Sequence, residues 1–119
     1  TNYSSNSVSV IETASNTVTG NVTVGSLPWS VAIAPDGSFA YVSNQGSGTV
    51  SVIDMGSNTV TSTISVGPAL RSVAFTPDGN FAYVAVLGAN TVSVIDTNLN
   101  TVAETISVGV HPESISIKP

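Results

Sequence analysis

Displaced by 42 residues, this sequence falls on itself without a gap. Residues 1–42 match residues 43–84 at 23 of 42 positions, and residues 43–77 match 85–119 at 17 of 35. Val8-Ser9-Val10-Ile11 returns as Val50-Ser51-Val52-Ile53 and as Val92-Ser93-Val94-Ile95. Pro35-Asp36-Gly37 and Phe39-Ala40-Tyr41-Val42 return as Pro77-Asp78-Gly79 and Phe81-Ala82-Tyr83-Val84. One register held along the whole chain is a structural period, so the chain stacks copies of a unit too small to bury its apolar face alone.

Each unit reads as four short strands. Thr49–Asp54 alternates with period two and is rich in β-branched residues. In residues 59–66, Val60, Ser62, Ile64 and Val66 alternate with Thr and Ser, giving one packed face and one hydroxyl face. Residues 72–76 form a short apolar strand that ends in Pro77-Asp78-Gly79, a turn in which Pro fixes φ and Gly accepts φ > 0. Residues 80–86 form the fourth. No segment carries a helical period with caps, so essentially no helix is expected. Four antiparallel strands repeated every 42 residues predict an all-β fold of β-propeller blades. A stacked β-solenoid or a β-sandwich is the alternative, but solenoid coils are shorter and a sandwich needs no strict period.

Tyr41-Val42-Ser43-Asn44, preceded by Pro35-Asp36-Gly37 and followed by Thr49-Val50-Ser51-Val52-Ile53-Asp54, resembles the YVTN-type β-propeller repeat of surface-layer and other secreted proteins. The resemblance covers the whole chain, with departures at Ala85-Val86 and at Leu70, where the other copies have Pro28 and Pro112. It implies a strand order. Residues 30–34, 72–76 and 114–117 would be innermost, and the Thr-Val…Val-Gly strands outermost. Residues 26–67 and 68–109 would then be complete blades, residues 1–25 a partial blade, and residues 110–119 the first strand of a further blade. Closed propellers have about four to eight blades, and the chain is seven residues short of three repeats. Three readings stay open: a segment of a longer propeller, a short chain that self-assembles through its open blade edges into a ring or filament, or an open stack.

Composition narrows the function classes. Only 8% of residues are charged, two are basic, and the net charge is −5. Such a chain has little with which to neutralise a phosphate backbone, so nucleic-acid binding is not expected. It has no cysteine and one histidine, which excludes thiolate chemistry and a His-rich metal cage within one chain. No apolar run approaches the roughly 20 residues of a membrane helix. Solvation falls to Ser, Thr, Asn and Gly, which total 53 residues.

The rarest side chains share one column of the repeat. Trp29, Arg71 and Glu113 stand 42 apart, and His111 lies two residues before Glu113. In the blade phase this column enters the innermost strand, at the mouth of the central channel. Rigid blades holding variable loops suit binding, and aromatic and Arg side chains suit contacts with a protein or glycan. The competing reading is a loosely constrained turn that tolerates any exposed residue. His111 and Glu113 could pair as acid and base by residue type, but no nucleophile motif or phosphate loop accompanies them.

Glu12, Asp54 and Asp96 recur after a strand, and Asp36 and Asp78 in their Pro-Asp-Gly turns. There they are expected to accept backbone N–H bonds rather than to hold metal. Tyr41, Tyr83, Phe39, Phe81 and Phe75 recur as expected inter-blade core. Asn2-Tyr3-Ser4 and Asn21-Val22-Thr23 match the N-glycosylation acceptor pattern, which matters only for an exported chain.

The combined expectation is a non-enzymatic structural or interaction module, extracellular or at the cell surface, without cofactor or catalytic residues. The alternatives are a piece of a larger propeller enzyme of lactonase or dehydrogenase type, and a subunit of a surface layer or fibre.

Overall fold

A computed structural model describes residues 1–119. Ten strands form three antiparallel sheets. Strands β1 (Ser7–Glu12) and β2 (Thr17–Thr23) make a two-stranded sheet. Strands β3 (Pro28–Ile33), β4 (Phe39–Asn44), β5 (Thr49–Asp54) and β6 (Thr59–Ser65) pair in chain order, as do β7 (Leu70–Phe75), β8 (Phe81–Val86), β9 (Thr91–Asp96) and β10 (Thr101–Ser107). The only helical pieces are single 3-10 turns at Tyr3–Ser5 and Leu87–Ala89. No helix is long and apolar enough to cross a membrane.

The joins repeat as faithfully as the strands. Asn16, Asn58 and Asn100 each take the left-handed conformation at φ 53°, which Asn tolerates better than most residues, and each closes an outer hairpin. Asp54 locks its hairpin by accepting from the backbone N–H of Gly56 and Ser57 at 2.9 and 2.8 Å. Asp96 does the same for Asn98 and Leu99. Gly48, at φ 67°, is required by a close approach: a Cβ there would stand 2.6 Å from the carbonyl oxygen of Gly67.

The two complete blades share the main core. Tyr41, with no exposed surface, clusters with Val50, Val52, Ile64, Leu70, Val73 and Ile95. Its ring lies 5.5 Å from Phe39 and 5.0 Å from Phe75, centroid to centroid, and its hydroxyl donates to Asn100 Oδ1 on the next blade. Ser43 Oγ, also buried, donates to the carbonyl of Arg71 and so ties β4 to β7. Each fully buried Val, Ile or Leu contributes about 1.5–3 kcal/mol of transfer free energy, so this seam is the main adhesive between blades.

The outer faces of the array differ from that seam. Phe81 and Tyr83, expected as inter-blade core, line a surface hollow with Val94 instead, and Phe81 is 39% exposed. No blade packs against that side of β8. Residues 110–119, expected as the first strand of a further blade, form no strand. A strand needs a ladder partner, and this segment's one backbone bond to β7 runs from the Ser72 N–H to the Glu113 carbonyl, at 3.4 Å.

Candidate binding row

Trp29 and Arg71 are projected by β-bulges. Pro28 pairs with Asn44 and Ser30 with Ser43, so Trp29 is an extra residue in its ladder. Leu70 pairs with Val86 and Val73 with Val84, so Arg71 and Ser72 together face one residue. A bulge frees a side chain from strict alternation and re-aims it. The residue two before each of these positions is also unusual: Leu27, Ala69 and His111 all have positive φ, 52°, 56° and 57°. This conformation costs a residue with a Cβ about 1–2 kcal/mol. Hydrogen bonds hold it in place, from the Leu27 N–H to Asn6 Oδ1 at 2.9 Å and from the His111 N–H to Asn90 Oδ1 at 3.0 Å.

The result is a continuous row across three repeats. The Tyr3 ring meets Trp29 edge to face at 6.1 Å. The Arg71 guanidinium carbon lies 3.9 Å from the centroid of the Trp29 ring, a cation–π stack. Arg71 donates to Gln45 Oε1 at 2.7 Å. Its Nε stands 3.1 Å from Glu113 Oε2, a charge contact whose angle falls short of a hydrogen bond. The Arg71 side chain is 15% exposed, while Trp29 keeps 46% of its surface open. The structure therefore brings Trp29, Arg71 and Glu113 together. His111 is exposed, its imidazole makes no hydrogen bond, and Glu113 is engaged with Arg71 instead.

Two members of the row, Tyr3 and Gln45, escaped the sequence reading. They stand 42 apart and share their column with Leu87. A column holding Tyr, Gln and Leu among columns that barely change is the signal that marks them. Chemically, the row offers an open aromatic face, a fixed cation, an amide and a carboxylate.

The acids of the turns are occupied elsewhere. The Ser38 backbone N–H and hydroxyl hold the Asp36 carboxyl below its ordinary range. The Ser57 backbone N–H and hydroxyl do the same for Asp54, and the Thr76 hydroxyl, then Asn80, for Asp78. Of the two acceptor-pattern asparagines, Asn2 donates its Nδ2 to Ser7 and Ser9 hydroxyls at 3.1 and 2.8 Å. Asn21 lies on β2, exposed, and accepts from Ser9 through its Oδ1.

No protein-family model matches this chain, and no curated protein does. Solved structures do. Kuenenia stuttgartiensis hydrazine synthase matches with TM-score 0.91 and 34% identity over 95% of this chain and 33% of that one. Dihydro-heme d1 dehydrogenase NirN matches with TM-score 0.84 and 14% identity over 98% of this chain and 26% of that one. AztD from Citrobacter koseri matches with TM-score 0.77 and 17% identity over 95% of this chain and 32% of its own. The fold is that of an open β-propeller segment. The chain spans between about a quarter and a third of the length of these solved structures.

Proposed function

We propose that this chain is a non-enzymatic binding module, secreted or displayed at a cell surface, that presents the Tyr3–Trp29–Arg71–Glu113 row to a protein or glycan partner. The observation that carries this reading is the stacked Trp29–Arg71 pair, set by bulges at the same column of neighbouring blades, with nearly half of the indole left open. An Arg fixed by an aromatic face, an amide and a carboxylate loses little side-chain freedom on binding, and Trp and Arg are the residues that dominate binding hot spots. The low charge and hydroxyl-rich outer strands support an extracellular setting.

Trp29 is the only tryptophan, so its emission reports arrival at the row directly. Titration with a panel of oligosaccharides and of unstructured peptides is expected to give a saturable change for one class. Trp29→Phe would silence the signal, and Arg71→Ala would weaken binding at least tenfold when followed by calorimetry. A panel that leaves the emission unmoved, or an Arg71→Ala chain that binds as well as the parent, contradicts the proposal.

A second reading is supported by the 34% identity to hydrazine synthase over a third of that chain. On this reading the blades are the scaffold of a larger propeller enzyme, with its reactive groups supplied from outside these residues. A longer reading frame bearing such groups would favour it.

A further inference from the structure

The fold treats the two Asn-x-Ser/Thr acceptor patterns, Asn2-Tyr3-Ser4 and Asn21-Val22-Thr23, in opposite ways. A single hydroxyl links them. Asn2 Nδ2 donates to Ser9 Oγ at 2.8 Å, and Ser9 Oγ donates in turn to Asn21 Oδ1 at 3.0 Å. The relay uses the donor of one amide and the acceptor of the other. Asn2 Nδ2 has a second acceptor in the Ser7 hydroxyl, at 3.1 Å, so both of its protons are engaged. Asn21 Nδ2 makes no hydrogen bond, and the amide is held by its oxygen alone.

Position in the blade separates the two further. Asn2 occupies the column of Asn44, which is 0% exposed and donates through Nδ2 to Thr49 and Ser51 at 3.2 and 2.9 Å. Asn21 lies on the outer strand β2. Alternation turns Val22 inward against Ala40, Val42 and Ile53, and turns Asn21 and Thr23 together onto the exposed face. The openness belongs to the column. Thr63 and Ser65, the counterparts of Asn21 and Thr23 on β6, are exposed although sheets pack on both sides of their blade. The ladder also loosens beside Asn21. Gly20 pairs with Val10 and Val18 with Ile11, so Thr19 is a bulged residue. A carbon added at Gly20 would meet nothing within 4 Å, so a bulky group on the next residue has room.

We infer that Asn21 is an N-glycan attachment site and that Asn2, despite its matching pattern, is not one; the inference rests on the extracellular setting proposed above. The free Nδ2 of Asn21 bonds to the anomeric carbon of a sugar carried on a polyprenyl pyrophosphate. The bond from that carbon to the phosphate oxygen breaks, the pyrophosphate carrier leaves with the electron pair, and Nδ2 gives up one proton. Asn21 Oδ1 keeps its bond from Ser9 throughout, so the folded strand loses no contact. At Asn2 the same attack requires the hydrogen bonds to Ser7 and Ser9 to open first.

The test gives the folded full chain to a purified single-subunit oligosaccharyltransferase with a lipid-linked oligosaccharide, and reads the product by intact mass and fragmentation. Transfer in vitro does not depend on where the chain resides, so a failure strikes this site and leaves the extracellular binding reading standing. Peptides of residues 1–8 and 17–27 set the unfolded rate of each pattern. Relative to those rates, the folded chain should gain sugar at Asn21 about tenfold or more faster than at Asn2, the cost of opening two neutral hydrogen bonds. Asn21→Gln and Thr23→Ala, both at exposed positions, should each remove the transfer, and Asn2→Gln should leave it unchanged. Equal relative rates at Asn2 and Asn21 overturn the inference. So does a folded chain that stays unmodified while the peptide of residues 17–27 accepts the sugar.

Discussion

Replacing Tyr41 with Phe isolates a single atom that joins two blades. The hydroxyl donates to Asn100 Oδ1 across 59 positions of sequence while the ring keeps its packing against Phe39 and Phe75. A neutral hydrogen bond contributes about 0.5–1.5 kcal/mol net. Asn100 is partly exposed and turns to water when its donor is removed, so the cost at neutral pH falls in the lower half, ~0.5–1 kcal/mol.

The alkaline limb is more diagnostic. Burial, and then the Asp96 carboxylate, push the Tyr41 hydroxyl from 10.0 up to about 12. The folded state therefore holds its proton where the unfolded chain has released it. This contribution is fully present below pH 10.0 and is lost as pH rises toward about 12. Two units correspond to at most ~2.7 kcal/mol. The hydroxyl is itself buried, but its partner Asn100 is partly exposed, so screening from that side brings the expected loss to about 1 kcal/mol. Urea titrations followed by far-ultraviolet dichroism from pH 7 to 11.5 would show the parent chain losing its advantage over Tyr41→Phe as pH passes 10. Equal stabilities at pH 7, together with an unchanged alkaline decline in the variant, would refute the reasoning.

Two further outcomes follow from the turns. Gly48→Ala should destabilise the chain by at least ~1–2 kcal/mol, since it puts a Cβ at φ 67° and 2.6 Å from a carbonyl oxygen. Gly20→Ala, with nothing within 4 Å of the added carbon, should be neutral or stabilising by up to about 0.5–1 kcal/mol; equal urea midpoints for the two would contradict the turn geometry. Asp36, Asp54 and Asp78 are all held below the ordinary value of 3.8, so their contribution is present above pH 3.8 and is lost as pH falls through the lowered folded values. The triple Asn variant should therefore show a flatter acid limb, and an unchanged limb would mean the turns do not use these carboxylates.

The 42-residue period made most of the fold legible. Four strands per complete blade, chain-order pairing and the turn role of Asp54 and Asp96 all follow from alternation and punctuation. The column that carries Trp29, Arg71 and Glu113 was also visible, because rare side chains in a repeat stand out. What aims them was not. A bulge is a pairing of two residues against one, and neither Pro28-Trp29-Ser30 nor Leu70-Arg71-Ser72 advertises it by residue type. Leu27 at positive φ runs against side-chain preference and is imposed by Asn6, 21 residues away. Phe81 read as core because period alone says which face is apolar, not whether a neighbour covers it. Residues 110–119 read as a strand for the same reason: the apolar pattern is there, and the ladder that would make it a strand is not.

Amide hydrogen exchange on the three Val-Ser-Val-Ile copies tests the open array most directly. Residues 8–11, 50–53 and 92–95 have the same sequence, so their intrinsic exchange is nearly the same and pairing sets the difference. Strands β5 and β9 are paired on both sides, while β1 is paired along its length with β2 alone. Slow exchange throughout residues 50–53 and 92–95, with fast exchange of the amides in 8–11 that point away from β2, is the expected result. Equal protection of all three copies would contradict an open first blade.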